Sequence, residues 1–209
     1  WIADIASFVR MSFGNKADMV SPGQVARIRA ETRHRDGPYS FAELMASVPG
    51  VLQPSPDWVV VASHSGPVII GGSEDPAAAF GHEGWTSGAP QKDGMWFEIR
   101  FPKKVRLAEI RFDAPANGLP WQAAEKPPAF PRGLVLKAAT GTDSWETIGT
   151  YQPGQQQVRI SFGAHALDRL RLELSDVPSG LGPIPWSMRQ LKLYGWADPP
   201  AASPNPSSP

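Results

Sequence analysis

Beyond residue 57, apolar residues recur at every second position in short runs. Phe97 follows Trp96 at the start of one run, and Val105, Leu107, Ile110 and Phe112 continue the period of two with a single slip at Ala108 and Glu109. The pattern returns at Leu134 and Leu136, at Val158, Ile160 and Phe162, at Leu170, Leu172 and Leu174, and at Met188, Leu191 and Leu193. A period of two sends alternate side chains to opposite faces of a strand, so each run predicts a strand buried on one face. Arg169, Arg171 and Glu173 fill the alternate positions of one run, which puts its other face in water or under a loop. Gly- and Pro-rich turns separate the runs. The fold expected is mainly β, an antiparallel β-sandwich over residues 57–196, with Trp96, Trp145 and Trp186 filling the space between the sheets. Its last strand is expected near residues 189–194, beside a strand from the start of the domain.

The first 47 residues follow a different period. Ile2, Ile5, Ala6 and Val9 recur at helical spacing, with Trp1 and Phe8 adding bulk, and predict an amphipathic helix to about Ser12 that Gly14 and Asn15 stop. Ser21 before Pro22 reads as an N-cap followed by proline at the first helical position, opening a second helix to about Arg33. Ser40 and Glu43 have capping-box spacing ahead of a third short helix with Phe41, Leu44 and Met45. Three such pieces carry too little apolar surface to make a core alone. Residues 48–56 are proline-rich and predict a linker, and residues 197–209 have no apolar anchor and predict a disordered tail.

Charge narrows the partners. The chain has 209 residues with 20 Lys plus Arg against 20 Asp plus Glu, so its overall balance gives no reason to expect nucleic acid or an anionic membrane. No apolar run approaches the length of about eighteen residues that a membrane-spanning helix needs. The absence of cysteine excludes disulfides, thiolate zinc sites and a Cys-x-x-Cys-His haem attachment within these residues. His34, His64, His82 and His165 show no metal-ligand spacing, and no Gly-x-Ser-x-Gly elbow is present. The chain itself is therefore not expected to be an enzyme. It begins at Trp1 without a leader and reads as a fragment whose N-terminus lies upstream.

Trp58-Val-Val-Val-Ala-Ser63, Trp85-Thr-Ser-Gly88, Trp96-Phe-Glu-Ile-Arg-Phe101, Phe130-Pro-Arg132-Gly133 and Trp186-Ser-Met-Arg-Gln-Leu-Lys-Leu-Tyr-Gly195 occur in that order. Together they resemble the discoidin or coagulation factor 5/8 type C family, galactose-binding-like jelly-roll sandwiches that bind sugars, lipids or protein surfaces through loops at one end. The resemblance implies a discoidin-like jelly roll with a non-catalytic binding role. Its animal members usually tie their ends with a disulfide, which this chain lacks, so the likeness leans toward a bacterial relative. Many members hold a structural calcium through an Asp-Gly loop before the tryptophan turn. Here that stretch, residues 79–85, has no Asp-Gly pair, although Glu83, Asp75 and Glu74 offer carboxylates. A calcium on Glu83 and Asp75 and a metal-free loop both stay open.

Residues 2–16 and 20–29 in turn resemble the C-terminal helix and exit segment of a class I c-type cytochrome domain, of the kind attached to bacterial periplasmic dehydrogenases. In that family the haem attachment and axial methionine precede this helix. Haem c would then belong to an upstream part, with no cofactor of that kind in this chain, and Met11 and Met19 would pack or face solvent.

One loop concentrates candidate ligand chemistry. Between Asp113 and Gly133 lie Trp121, Gln122, Glu125 and Lys126, in a connection too long to be a simple turn. Sugar sites combine an aromatic platform with a few fixed polar groups, and these four residues supply both. Trp121 either stacks on a ligand or caps the end of the sandwich. Arg132, where the family often has an arginine paired inside the loop end, either forms a structural salt bridge or joins the ligand site. A second loop, residues 177–185, would reach the same end, and Glu98 is expected solvated or ion-paired. The function expected is a module for carbohydrate or cell-surface glycan, periplasmic or extracellular, appended to a haem-dependent electron-transfer protein. The alternative is a docking module for a dehydrogenase subunit that binds no sugar.

Overall fold

The computed structural model describes residues 1–13, 18–34, 37–66, 72–114, 130–141, 144–151, 156–179 and 184–196. It divides into two compact units, residues 1–45 and 46–209.

The first unit is helical, and its local signals are the ones the sequence carries. Helix α1 spans Ile2–Met11, and α2 spans Pro22–Thr32 behind a complete capping box. Gln24 N–H donates to Ser21 Oγ at 3.2 Å, and Ser21 N–H donates to Gln24 Oε1 at 2.7 Å, satisfying two amides that a helix start leaves without partners. Ser40 and Glu43 make the same reciprocal pair, at 3.2 and 2.7 Å, ahead of α3, Phe41–Ser47. Ser7 joins α1 to the segment before α2, because its Oγ accepts from Val20 N–H at 2.7 Å. Gly14 and Asn15, the expected stop of α1, lie outside the described residues.

The second unit is mainly β, and all its paired strands run antiparallel. Its strands are β1 (Gly50–Leu52), β2 (Val59–Ala62), β3 (Trp85–Pro90), β4 (Trp96–Asp113), β5 (Leu134–Ala139), β6 (Glu146–Tyr151), β7 (Gln157–Leu174) and β8 (Pro185–Trp196). They run in the order β1-β8-β4-β7-β5-β6, with β2 added on β4 and β3 on β8. The first half of β4 pairs with β2 and its second half with β8, both on the same side, while β7 pairs with it along nearly its whole length. Phe97 and Ile99 from the first half and Leu107, Ile110 and Phe112 from the second enter one continuous core.

The breaks in apolar period are breaks in register. At Ala108 and Glu109 the pairing of β4 slips against both β7 and β8, a bulge that returns Ile110 and Phe112 to the inner face. The three-residue step from Met188 to Leu191 has the same origin: Gln190 adopts φ 52°, and its N–H donates to Gly81 O instead of the ladder.

Two expectations are corrected. The linker assigned to residues 48–56 contains β1, whose Gly50, Val51 and Leu52 pair with Gly195, Tyr194 and Leu193 of the last strand. Three residues of extended backbone facing β8 are enough to form a ladder, and no sequence period marks so short a strand. Of the three tryptophans assigned to the core, only Trp186 is fully buried; Trp96 and Trp145 stand half-buried on the outer face, their ring centres 4.6 and 4.3 Å from the Arg171 guanidinium. Their aromatic surface is covered by cations rather than by the opposite sheet. The inner position belongs to Trp85, which meets Trp186 edge-on at 5.3 Å and Phe97 at 5.1 Å and donates its indole N–H to Ser65 Oγ.

Candidate functional site

Gln91 organises the end of the sandwich where the candidate loops begin. It lies in the connection between β3 and β4, 7% exposed. Its Nε2 donates to Phe130 O at 3.0 Å and Pro185 O at 3.2 Å, its Oε1 accepts from Arg132 N–H at 3.2 Å, and its own N–H donates to Ile184 O. One buried amide thus holds the start of β5 and the start of β8 in place, with both its donors and its acceptor used. Asp93 adds a second tie by accepting from Val177 N–H at 2.8 Å. At Gly133 a Cβ would collide with the Ser175 carbonyl oxygen, so the chain passes there only as glycine.

Arg132 sits inside this frame. Its guanidinium lies 4.1 Å from the centre of the Phe130 ring, and burial lowers its pKa from the ordinary arginine value. Trp121, Gln122, Glu125 and Lys126 lie outside the described residues. The structure does show where their segment is anchored. It leaves from Ala114, whose N–H donates to Gln156 O at 2.7 Å, and rejoins at the buried Phe130.

Asp75 and Glu83 are both exposed. Asp75 Oδ1 accepts from Ala77 N–H and caps the short 3-10 turn Pro76–Phe80. Among the described residues no three acidic or histidine side chains come together as a metal-ligand group. A calcium ion, which takes six to eight oxygen ligands, would have to draw most of them there from backbone carbonyls.

Sequence reasoning missed the organisation of the outer face. Glu98, expected solvated or ion-paired, is ion-paired and fully buried: Arg100 Nε donates to its Oε1 at 2.7 Å, and Arg171 Nη2 and Nε donate to its Oε2 at 2.6 and 2.9 Å. Burial raises the pKa of this carboxyl, but the hydrogen bonds and charges of Arg100 and Arg171 outweigh it and hold the group below the usual 4.5. Glu109 repeats the arrangement on the second half of β4. It accepts from Arg111 Nε, from Arg159 Nε at 2.8 Å and from Ser161 Oγ at 2.6 Å, and these bonds likewise overcome burial and lower its pKa. Beside it runs a groove of about 410 Å³ lined by Arg111, Asp113, Gln157, Arg159, Lys192 and Tyr194. The alternation of β7 signals the charged face, but which arginine of β7 meets which carboxylate of β4 depends on pairings 50 and 73 residues apart, which no local pattern encodes.

The chain matches no protein-family model, and no curated protein matches it. Solved structures do. A selenomethionine-labelled mutant of chitosan-binding module 1 derived from a chitosanase/glucanase of Paenibacillus sp. IK-5 matches with a TM-score of 0.50 and 18% identity, over 66% of this chain and 93% of that one. The sandwich has the fold of carbohydrate-binding modules. The C-terminal domain of a chitobiase from Bacteroides fragilis gives a TM-score of 0.52 at 17% identity, over 70% of this chain and 97% of that one. The CBM32-1 and CBM32-2 domains of Clostridium perfringens ZmpB in complex with GalNAc give 0.51 at 12% identity, over 76% and 38%. Among the described residues no helix is long and apolar enough to cross a membrane.

Proposed function

We propose that the second unit is a non-catalytic carbohydrate-binding module that takes its glycan at the end braced by Gln91. The observation that carries this reading is the fold it shares with modules described as binding chitosan or solved with GalNAc. The frame around Gln91 supports it, because a site needs loops held at fixed positions by rigid elements. In this reading Trp121 is the stacking platform, Gln122, Glu125 and Lys126 are its polar partners, and Arg132 borders the site. A ligand of this kind belongs to a cell surface or wall, so the module acts in the periplasm or outside the cell.

The helical unit forms the end of an electron-transfer domain of the c-type cytochrome kind, with its haem upstream, and the sandwich carries that protein to its glycan. Apolar residues that α1 leaves exposed, Ile5 and Phe8 among them, support this part, since such a surface calls for a partner.

The test is binding of the 209-residue chain to a glycan array that includes chitosan oligosaccharides and GalNAc. Trp121→Ala is expected to weaken the best ligand about tenfold, as loss of one aromatic contact of about 1 kcal/mol or more does, with the melting temperature unchanged. A loss of several kcal/mol of stability would instead identify Trp121 as a cap of the sandwich.

A further inference from the structure

Where β8, β4 and β7 lie side by side, their register sorts the outer face into rows of different chemistry. Tyr194, Glu109 and Ser161 form one row, Lys192, Arg111 and Arg159 the next, and Asp113 stands opposite Gln157 in a third. The groove of about 410 Å³ beside Glu109 runs over these rows and is lined also by Gln190. Its size is that of a small-ligand site.

We infer that this groove is a saccharide site distinct from the loop end, and that it takes a neutral sugar chain through the sugar's hydroxyl groups. A hydroxyl donates one hydrogen bond and accepts others, so a ring rimmed with hydroxyls needs donors and acceptors within one ring's reach of each other. The rows provide both. Lys192, Arg111 and Arg159 are donors, while the Asp113 carboxylate and the Gln157 amide offer acceptors about 7 Å further along the strands. Among the described residues, no hydrogen bond or ion pair occupies the side chains of Asp113, Gln157 or Lys192.

The donor row is held in place from beneath. Glu109 is buried and accepts from Nε of both Arg111 and Arg159, and Arg111 also lies over the Tyr194 ring, 4.3 Å from its centre. Side chains locked in this way form a site without having to order themselves on binding. Gln190 adds a second sign. Its backbone is left-handed, with φ 52°, and its side-chain Nε2 lies 3.0 Å from His82 Nδ1. Such a conformation is uncommon for a residue with a side chain, and strain of this kind gathers at binding sites.

The same geometry argues against other ligands. An anion drawn to the cation row would meet Glu109 on one side and Asp113 on the other. An extended peptide gains most from an open strand edge, and β8, β4 and β7 are all interior strands of their sheet. A neutral polyol suffers neither penalty. None of the groove's residues belongs to the frame of Gln91, Phe130, Arg132 and Pro185, so the inference stands apart from the loop-end reading.

The test is a titration of the whole 209-residue chain, isotope-labelled for amide spectra, with the neutral tetrasaccharides of chitin and galactan and with tetragalacturonate as the acidic rival. At least one neutral tetrasaccharide is expected to shift the backbone amides of Arg111, Asp113, Gln157 and Lys192. Asp113→Ala with Gln157→Ala is expected to weaken that response about tenfold at an unchanged melting temperature. Lys192→Ala, at an exposed position, should act in the same direction. The proposal is overturned if no neutral sugar shifts these amides, if tetragalacturonate alone does so, or if the double variant and Lys192→Ala both bind as the parent does. Trp121→Ala separates the two sites. It should leave the groove's response intact, and shifts confined to residues 121–133 would sustain the loop-end reading while refuting this one.

Discussion

The two units reach ordered structure by opposite means. Among the described residues of the helical unit only Ala3 and Ser7 are buried, while Trp1 and Phe13 are 81% and 82% exposed. What defines its elements is local: two capping boxes, a proline at a helix start and a serine bridging to Val20. In the sandwich, strands gain little from their immediate neighbours and depend on one continuous core to which strands β3, β4, β5, β7 and β8 all contribute. Local signals set where an element starts; burial sets whether it persists. Helices of 10, 11 and 7 residues are marginal without tertiary packing, so the helical unit should be the first to lose its structure on heating.

The strongest test of that contrast is Trp186→Ala. Its ring is fully buried against Trp85, and removing it should cost the sandwich about 3–5 kcal/mol, read from denaturant unfolding followed by tryptophan fluorescence. A cost below about 1 kcal/mol would mean that the core does not hold the sheets together.

Glu98→Gln should come next, at roughly 2 kcal/mol, because it takes the charge from a buried carboxylate whose arginine partners are partly exposed. Acid should produce the same loss. Glu98 and Glu109 both have folded pKa values below the ordinary 4.5, so their ion pairs contribute fully above about that pH. That contribution disappears as pH falls through the lower, folded values. Melting temperature measured from neutral pH downward should drop below about pH 4.5, and the variant carrying Glu98→Gln and Glu109→Gln should show a shallower drop.

The smallest effect belongs to the helices. Ser21→Ala removes one half of a capping box and should cost about 1 kcal/mol in α2, visible in amide hydrogen exchange of that helix. The sandwich transition should stay where it was. A shift there would show that the two units unfold as one.

What the sequence makes legible follows the same division. The Ser21 N-cap, the capping box of Ser40 and Glu43 and the slip at Ala108 and Glu109 are visible because they involve residues a few positions apart, while the reciprocal bond from Gln24 that completes the first cap is seen only in the structure. The misplacement of Trp96 and Trp145 has a physical cause: a bulky aromatic at a strand start looks the same whether it faces a second sheet or an arginine from the next strand. Arg171 lies 75 positions from Trp96, and only the β4–β7 pairing brings them together. Of the candidate site, Arg132 is seen in its place on Phe130, while the residues assigned to ligand stacking and hydrogen bonding lie in the segment between Ala114 and Phe130.

The strand Gly50–Leu52 is the outermost member of its sheet, covering part of β8. A polypeptide cut after Leu52 would bare the amides and carbonyls of β8 that face Gly50, Val51 and Leu52, an open edge on which a second copy can add itself. The intact chain ends the sheet there with three residues, and Pro54 and Pro56, which have no N–H to donate, follow at once. Shortening the protein to its apparent domain start at Asp57 should therefore raise its tendency to dimerise or precipitate above that of the longer form.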